Sequence, residues 1–235
     1  MERLTIKDFC GIKNISIELA DITVLIGPQA SGKSICAKSL YFFKRFIIEM
    51  RSAFEEQKTK KDFDEALKLK FEEYFPPQSW TPSFLLQYKF EGESGKRFFI
   101  QVKKETTLKI SYSAVFKNIF EESKKEYKRI FNTSANITES TQIDYKSTFE
   151  FDKAYREILN KYLGDDGKLQ LFIPAGRSFF GILQSSIFSF LATNTAIIDP
   201  LLKSFGSFYE NVKNTERRRG YPENRAKSKK QEKFF

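Results

Sequence analysis

Eight consecutive residues, Gly27-Pro28-Gln29-Ala30-Ser31-Gly32-Lys33-Ser34, fit the pattern G-x-x-x-x-G-K-[ST] without a mismatch. These residue types in this order suit one chemistry, the holding of a phosphate chain. The glycines let the backbone turn back on itself and approach phosphate closely. The N–H groups of the loop, and of the helix that would follow it, present fixed positive potential to the β- and γ-phosphates. Lys33 reaches the same oxygens and is the candidate catalytic residue. The Ser34 hydroxyl can fill a coordination site of Mg2+, which makes it the candidate metal ligand. Gly27 to Ser34, with Ile35 on the first helical turn, form the candidate nucleotide site, and ATP and Mg2+ are the cofactors it implies. Such a pattern arises by chance in about one chain in a hundred of this length. The flanking elements must therefore separate a phosphate cradle from an empty glycine-rich turn.

The segment before the loop, Thr23-Val24-Leu25-Ile26, is continuously apolar. It reads as a strand buried on both faces. Lys33 to Met50 and beyond reads as a helix, with Ile35, Ala37, Leu40, Tyr41, Phe43, Ile47 and Ile48 dense enough for burial on more than one side. Strand, loop and helix in this order are the context a phosphate-binding loop needs. Upstream, Leu4–Ile6 and Ile15–Leu19 alternate apolar and polar residues as two strands joined by a turn.

Past Met50 the pattern changes. Charge is dense from Arg51 to Glu73, which reads as a solvated helix broken by Pro76, Pro77 and Pro82. Phe84–Phe90, Arg97–Lys103 and Thr107–Ser113 alternate as strands, the first two joined by the Glu91–Gly95 hairpin loop. Helical spacing returns in Phe116–Phe131 and Phe151–Tyr162, around a polar loop, and the second helix closes at Gly164. Leu169–Ile173 reads as a short apolar strand stopped by Pro174. Two helices follow, broken near Asp199-Pro200, and the tail after Lys213 reads as loose. The expected organisation is a first ATPase lobe over 1–50, an inserted helical and β-hairpin region over 51–165, a return to the lobe over 166–213 and a basic tail over 214–235.

Composition bounds the rest. A chain of 235 residues with 26 phenylalanines and 10 tyrosines can bury one sizeable core. The net charge is +10, but the last 22 residues hold eight Lys/Arg against three Asp/Glu, so half of it sits there. The Arg217-Arg218-Arg219 run, with Lys227, Lys229 and Lys230, is either a nucleic-acid or partner contact or a solvated tail. Cys10 and Cys36 make no disulfide framework and read as reduced thiols. Met1 is followed by charge rather than an apolar run. Ser178–Ile198 is uncharged over about a membrane span, yet carries so many hydroxyl and amide side chains that it reads as a buried helix pair. A cytoplasmic protein with no membrane partner is the expectation. Thr59-Lys60-Lys61-Asp62 imitates a guanine-recognition motif, but lies in a charged helical stretch with no apolar strand before it.

The order F-x-G-I-x-N-I-x-I-x-L, then D-I-T-V-L-I-G-P-x-x-S-G-K-S, resembles the amino-terminal half of ABC-type ATPase heads. The resemblance is narrowest to the SMC/RecF group, including bacterial AAA-family ATPases of the overcoming-lysogenization-defect and phage-defence kind. Phe9, Gly11, Ile12, Asn14, Ile15, Ile17, Leu19, Asp21 and Gly27 to Ser34 carry it. Many such proteins have asparagine and glycine where Gln29 and Ala30 stand here. Leu171-Phe172-Ile173-Pro174-Ala175-Gly176-Arg177-Ser178 resembles their I-P-A-x-R-S stretch. The likeness covers about 40 residues and this second patch; the middle of the chain matches no quotable motif.

The resemblance implies an α/β P-loop NTPase fold, ABC-ATPase-like, with a mixed sheet and an inserted α+β region. It implies a homodimer of heads closed by ATP, with DNA or an effector protein as a further partner. It gives Arg177 an accessory role at phosphate or partner, against that of a plain surface arginine. Gln184, Gln170 and Gln101 become candidates for the glutamine that couples nucleotide to Mg2+, and Arg3, Lys7 and Lys13 for a contact to phosphate or base. An ABC-type head also carries a signature L-S-G-G-Q, a strand ending in Asp-Glu and a switch histidine; the sequence shows none, and has no histidine. Asp199 ends an apolar run but is followed by Pro200 where Glu is wanted, so it reads as a helix break rather than a metal-side carboxylate. The end of the sequence reads as a helix cut in mid-course, and the expectation is that a carboxy-terminal half completes the head. Three functions fit: an SMC/RecF-like ATPase in DNA maintenance or anti-phage defence, a P-loop kinase of a small metabolite, or a non-hydrolysing ATP-dependent adaptor of a toxin or nuclease.

Overall fold

The computed structural model describes residues 2–92, 95–135, 145–164, 170–174 and 199–219. The chain divides into two units, Met1–Gln170 and Leu171–Phe235. The first is built on a five-stranded sheet of order β2-β1-β3-β4-β5, antiparallel at every junction. Its strands are β1 (Glu2–Phe9), β2 (Ile12–Leu19), β3 (Phe84–Glu91), β4 (Arg97–Lys104) and β5 (Leu108–Tyr112). β1 takes β2 on one side and β3 on the other, with Arg3 opposite both Glu18 and Lys89. The strands read from alternation are thus present, and the later three lie in one sheet with the first two.

Alternation gives this sheet one apolar face and one polar face. Leu4, Ile6, Leu86, Tyr88, Ile100 and Val102 are buried on the inner one. Helices α1 (Lys33–Lys44), α2 (Phe46–Glu55), α3 (Lys60–Tyr74) and α4 (Val115–Ala135) pack on that side or on one another, and α5 (Tyr145–Leu163) pairs with α4. The expected long helix after the loop is two helices meeting at Arg45, whose N–H still donates to Tyr41 O. α4 and α5 also reach further into the expected polar loop, to Ala135 and from Tyr145.

The core is aromatic. Phe9 sits 4.7 Å from Phe84 and 5.2 Å from Phe75 between ring centroids, and Phe71 lies against all three. A second group joins Phe46 to Phe63, Tyr112 and Phe116 at 5.0–5.5 Å. Tilted and edge-on rings dominate, as ring quadrupoles prefer. α5 is tied to α2 by Tyr155 Oη donating to Ile47 O at 2.7 Å and by the Arg51–Asp152 ion pair at 2.6 Å.

In the second unit α6 (Pro200–Arg219) is described. Asp199 caps it: its Oδ1 accepts from Leu201 N at 2.8 Å, and Pro200 takes the first helical position. The carboxyl that ended an apolar run is a helix cap, as the following proline indicates. Arg217, Arg218 and Arg219 fall within α6, so the helix runs six residues past the expected start of the tail. Lys227, Lys229 and Lys230 lie outside the described residues, as does the uncharged 178–198 stretch. Among the described residues no helix is long and apolar enough to cross a membrane.

Candidate phosphate-binding loop

The loop from Gly27 to Gly32 is exposed up to Ser31 and delivers the chain into α1. Two residues give it its bend. Ala30 has φ +60° and Gly32 has φ +87°, both in the left-handed region. At Gly32 this conformation and close packing act together. A Cβ there would stand 2.7 Å from Ile12 Cγ1 and 2.8 Å from Cδ1, so the loop's last turn rests on β2 at a place only glycine fits. α1 then starts with Cys36 N donating to Gly32 O at 3.0 Å, with no side chain capping its first turn. Uncapped N–H groups at a helix start favour an anion.

Lys33 folds back over this bend. Its Nζ donates to Gly27 O at 2.8 Å, to Pro28 O, and to Ser31 Oγ at 3.1 Å. Pro28, Gln29 and Ala30 form the outer rim, Ser34 is exposed on the first helical turn, and Ile35 is half-buried beside it. The residue types therefore fit a nucleotide phosphate chain with Mg2+: a bent backbone, an uncapped helix start, an ammonium over the loop and an accessible hydroxyl. Cys36, one turn on, is a free thiol pushed up by burial, and Cys10 is likewise free and raised by burial.

The strand expected before the loop is not formed. Residues 23–26 make no ladder, and Ile22, Val24 and Ile26 are 84%, 72% and 92% exposed. A wholly apolar strand needs neighbours on both edges and cover on both faces. Both edges of β1 are already taken, and no described segment pairs with 23–26. Thr23 instead closes a turn, its Oγ1 accepting from Ala20 N at 3.1 Å. The expected 169–173 strand fares alike: residues 170–174 have no regular structure, with Ile173 55% exposed. The sheet among the described residues is antiparallel rather than mixed for the same reason.

Other candidates disperse. Gln101 lies on the outer face of β4, its Oε1 accepting from Gln87 Nε2 at 2.7 Å. Gln170 lines a cavity of about 60 Å3 with Glu2, Lys44, Tyr88 and Phe116. Arg3 pairs with Glu18, while Lys7 and Lys13 are exposed. Arg177 and Gln184 fall outside the described residues. The guanine-like Thr59–Asp62 stretch is a capping box on α3: Asp62 N donates to Thr59 Oγ1 and Asp62 Oδ2 accepts from Thr59 N. Its carboxyl is held below the usual range by the Thr59 hydroxyl, then by the Thr59 N–H. Sequence reasoning missed the contact between Gly32 and Ile12, which no spacing rule signals.

A family model described as AAA ATPase domain matches residues 1–233. The chain belongs to the AAA ATPase domain family. The P-loop NTPase fold and nucleotide binding follow from that membership at the level of the family. Comparison of the sequence with curated proteins found no match.

Proposed function

We propose that this chain is the ATP-binding part of an SMC/RecF-like ATPase, in which nucleotide clamps two heads together in DNA maintenance or anti-phage defence. The observation that carries the reading is the loop itself, bent at Ala30 and Gly32 and roofed by Lys33 at the open start of α1. In this reading Gly27 to Ser34 cradle the phosphates and Lys33 turns from loop carbonyls to phosphate oxygens. Ser34 holds Mg2+, and Ile35 backs the first turn. ATP supplies the phosphoryl group, and the protein's part is positioning and electrostatic stabilisation of charge at the γ-phosphate. Arg177 is an accessory group. Homodimerisation fits an exposed loop, because a second head can close over a nucleotide held there. A cytoplasmic setting accords with the two free thiols.

Calorimetric titration of Mg·ATP into the wild-type chain and into Lys33→Ala tests this. Micromolar binding that the substitution abolishes is expected. Equal binding by both chains would remove the loop from the reading. Sedimentation with and without ATP tests the second part, and a mass that does not change with nucleotide would remove dimerisation.

A further inference from the structure

The outer face of the sheet is open and basic. Reading across its strands, it carries Asn14, Ser16 and Glu18 on β2, Arg3, Thr5 and Lys7 on β1, and Leu85, Gln87, Lys89 and Glu91 on β3; β4 adds Arg97, Phe99, Gln101 and Lys103, and β5 adds Lys109 and Ser111. Six are cations, and the carboxylates on the face are Glu18 and Glu91, with Glu105 in the turn after β4. Arg3 is spent on Glu18 and Lys103 on Glu105. Lys7, Lys89, Arg97 and Lys109 are all exposed, and among the described residues none of the four makes an ion pair.

Two pairs of like charges face each other across this sheet. Arg3 is the direct cross-strand partner of Lys89, and Lys103 of Lys109. Like charges directly opposite one another destabilise a sheet. Lysine on an edge strand can be explained as protection against edge pairing, and that covers Lys109 on β5. It does not cover Lys89, which lies on the interior strand β3; Arg97, on the interior strand β4, stands opposite Glu91. Arg3, Lys89 and Arg97 line a surface groove of about 210 Å3 with Glu91 and Phe90. A row of hydroxyls and amides, Ser16, Thr5, Gln87, Gln101 and Ser111, crosses the middle of the face. Phe99 lies half-buried opposite Lys89.

We infer that this face is a binding surface for single-stranded nucleic acid. The unpaired cations would take the phosphates, the hydroxyl and amide row the phosphate or sugar oxygens, and Phe99 one stacked base. An acidic polypeptide would satisfy the cations but has no use for the half-buried ring of Phe99 beside them. Five strands give a platform about 20 Å wide at ordinary strand spacing, enough for several nucleotides. The inference rests on the DNA-acting part of the function proposed above and not on its ATP-binding part.

The test is fluorescence anisotropy with a labelled deoxythymidine oligonucleotide of about 20 residues, longer than a typical site for one such platform, alongside a duplex of equal length. Four phosphate contacts on a single strand predict that log K falls with log salt at a slope of about −3. Lys89→Gln/Arg97→Gln/Lys109→Gln is expected to lose at least about tenfold in affinity and to flatten that slope by about 2. Phe99→Ala is expected to weaken the single strand and leave the duplex unchanged. The inference is overturned if the triple variant binds as wild type, if Arg217→Gln/Arg218→Gln/Arg219→Gln abolishes binding while the sheet variant does not, or if polyglutamate competes as well as unlabelled oligonucleotide. Equal affinity for strand and duplex with a silent Phe99→Ala overturns the single-strand assignment. Mg·ATP titration of the same variants keeps the two readings apart, because the sheet substitutions are expected to leave it unchanged.

Discussion

Lys33 Nζ and Gly27 O lie 2.8 Å apart, so the cation of the loop is bonded to the residue that opens it. An ammonium has three donors. Here they go to Gly27 O, Pro28 O and Ser31 Oγ. To meet a phosphate the group must release at least one of them. The Ser31 contact is the longest of the three, and the one a substitution can remove without touching the backbone. Ser31→Ala is therefore expected to raise the affinity for Mg·ATP by about two- to fivefold, the worth of one modest hydrogen bond. Calorimetry checks this, and an unchanged or weaker affinity would mean that Ser31 does not compete with phosphate.

Gly32 answers two constraints at once, and they can be separated. Gly32→Ala places a Cβ at φ +87° and against Ile12. A loss of about 1–3 kcal/mol is expected in urea unfolding. Adding Ile12→Ala removes the clash but not the strained backbone. The double variant is expected to recover part of the loss beyond the effect of Ile12→Ala alone, and strict additivity would count against the packing argument.

Where the end of β1 meets the start of β3 the core is a cluster of aromatic rings. Phe71 is fully buried and its ring lies within 6.1 Å of Phe9, Phe75, Trp80 and Phe84. Phe71→Ala is expected to cost about 3–5 kcal/mol. Phe149→Ala is the control, since that side chain is 74% exposed and is expected to shift stability by less than about 0.5 kcal/mol.

The capping box of α3 carries a pH dependence whose sign can be worked out. The Thr59 hydroxyl and N–H hold the Asp62 carboxyl below its ordinary value, so the native state favours the ionised form. Stability from this source is full above the unfolded value, about pH 4, and fades as the pH falls through the lower native one. Thermal melts between about pH 7 and pH 3 are expected to show Asp62→Asn less stable than wild type at neutral pH, with the gap closing in acid. A gap that stays constant with pH would count against the ionised cap. Thr59→Ala is expected to cost about 1 kcal/mol at neutral pH.

Two buried hydroxyls give a prediction of the opposite sign. Ser39 Oγ and Ser123 Oγ have no hydrogen-bond partner among the described residues, and both residues are fully buried. Each carries the cost of a desolvated polar group without a bond to offset it. Ser39→Ala and Ser123→Ala are each expected to stabilise the fold by about 1 kcal/mol in urea unfolding.

Local rules carried much of this protein. The candidate phosphate loop stands out in eight residues because the chemistry it suits is one of backbone and spacing, not distant contacts. All five strands of the sheet could be read because alternation of apolar and polar residues is a property of each strand alone. Asp199 was legible as a helix break because the proline after it suits a helix start and nothing else there. Tertiary structure decided what pairs with what. Only the fold sets Arg3 against Lys89 and Lys103 against Lys109, 86 and 6 positions away in sequence, and so turns scattered cations into one open face. Only the fold places Ile12 beneath Gly32 and makes that glycine obligatory for packing as well as for φ. Residues 23–26 mark the boundary between the two kinds of information. Their apolar run expresses a preference for a buried strand, but a strand is completed by hydrogen bonds to neighbours. Propensity alone supplies no partner for those bonds.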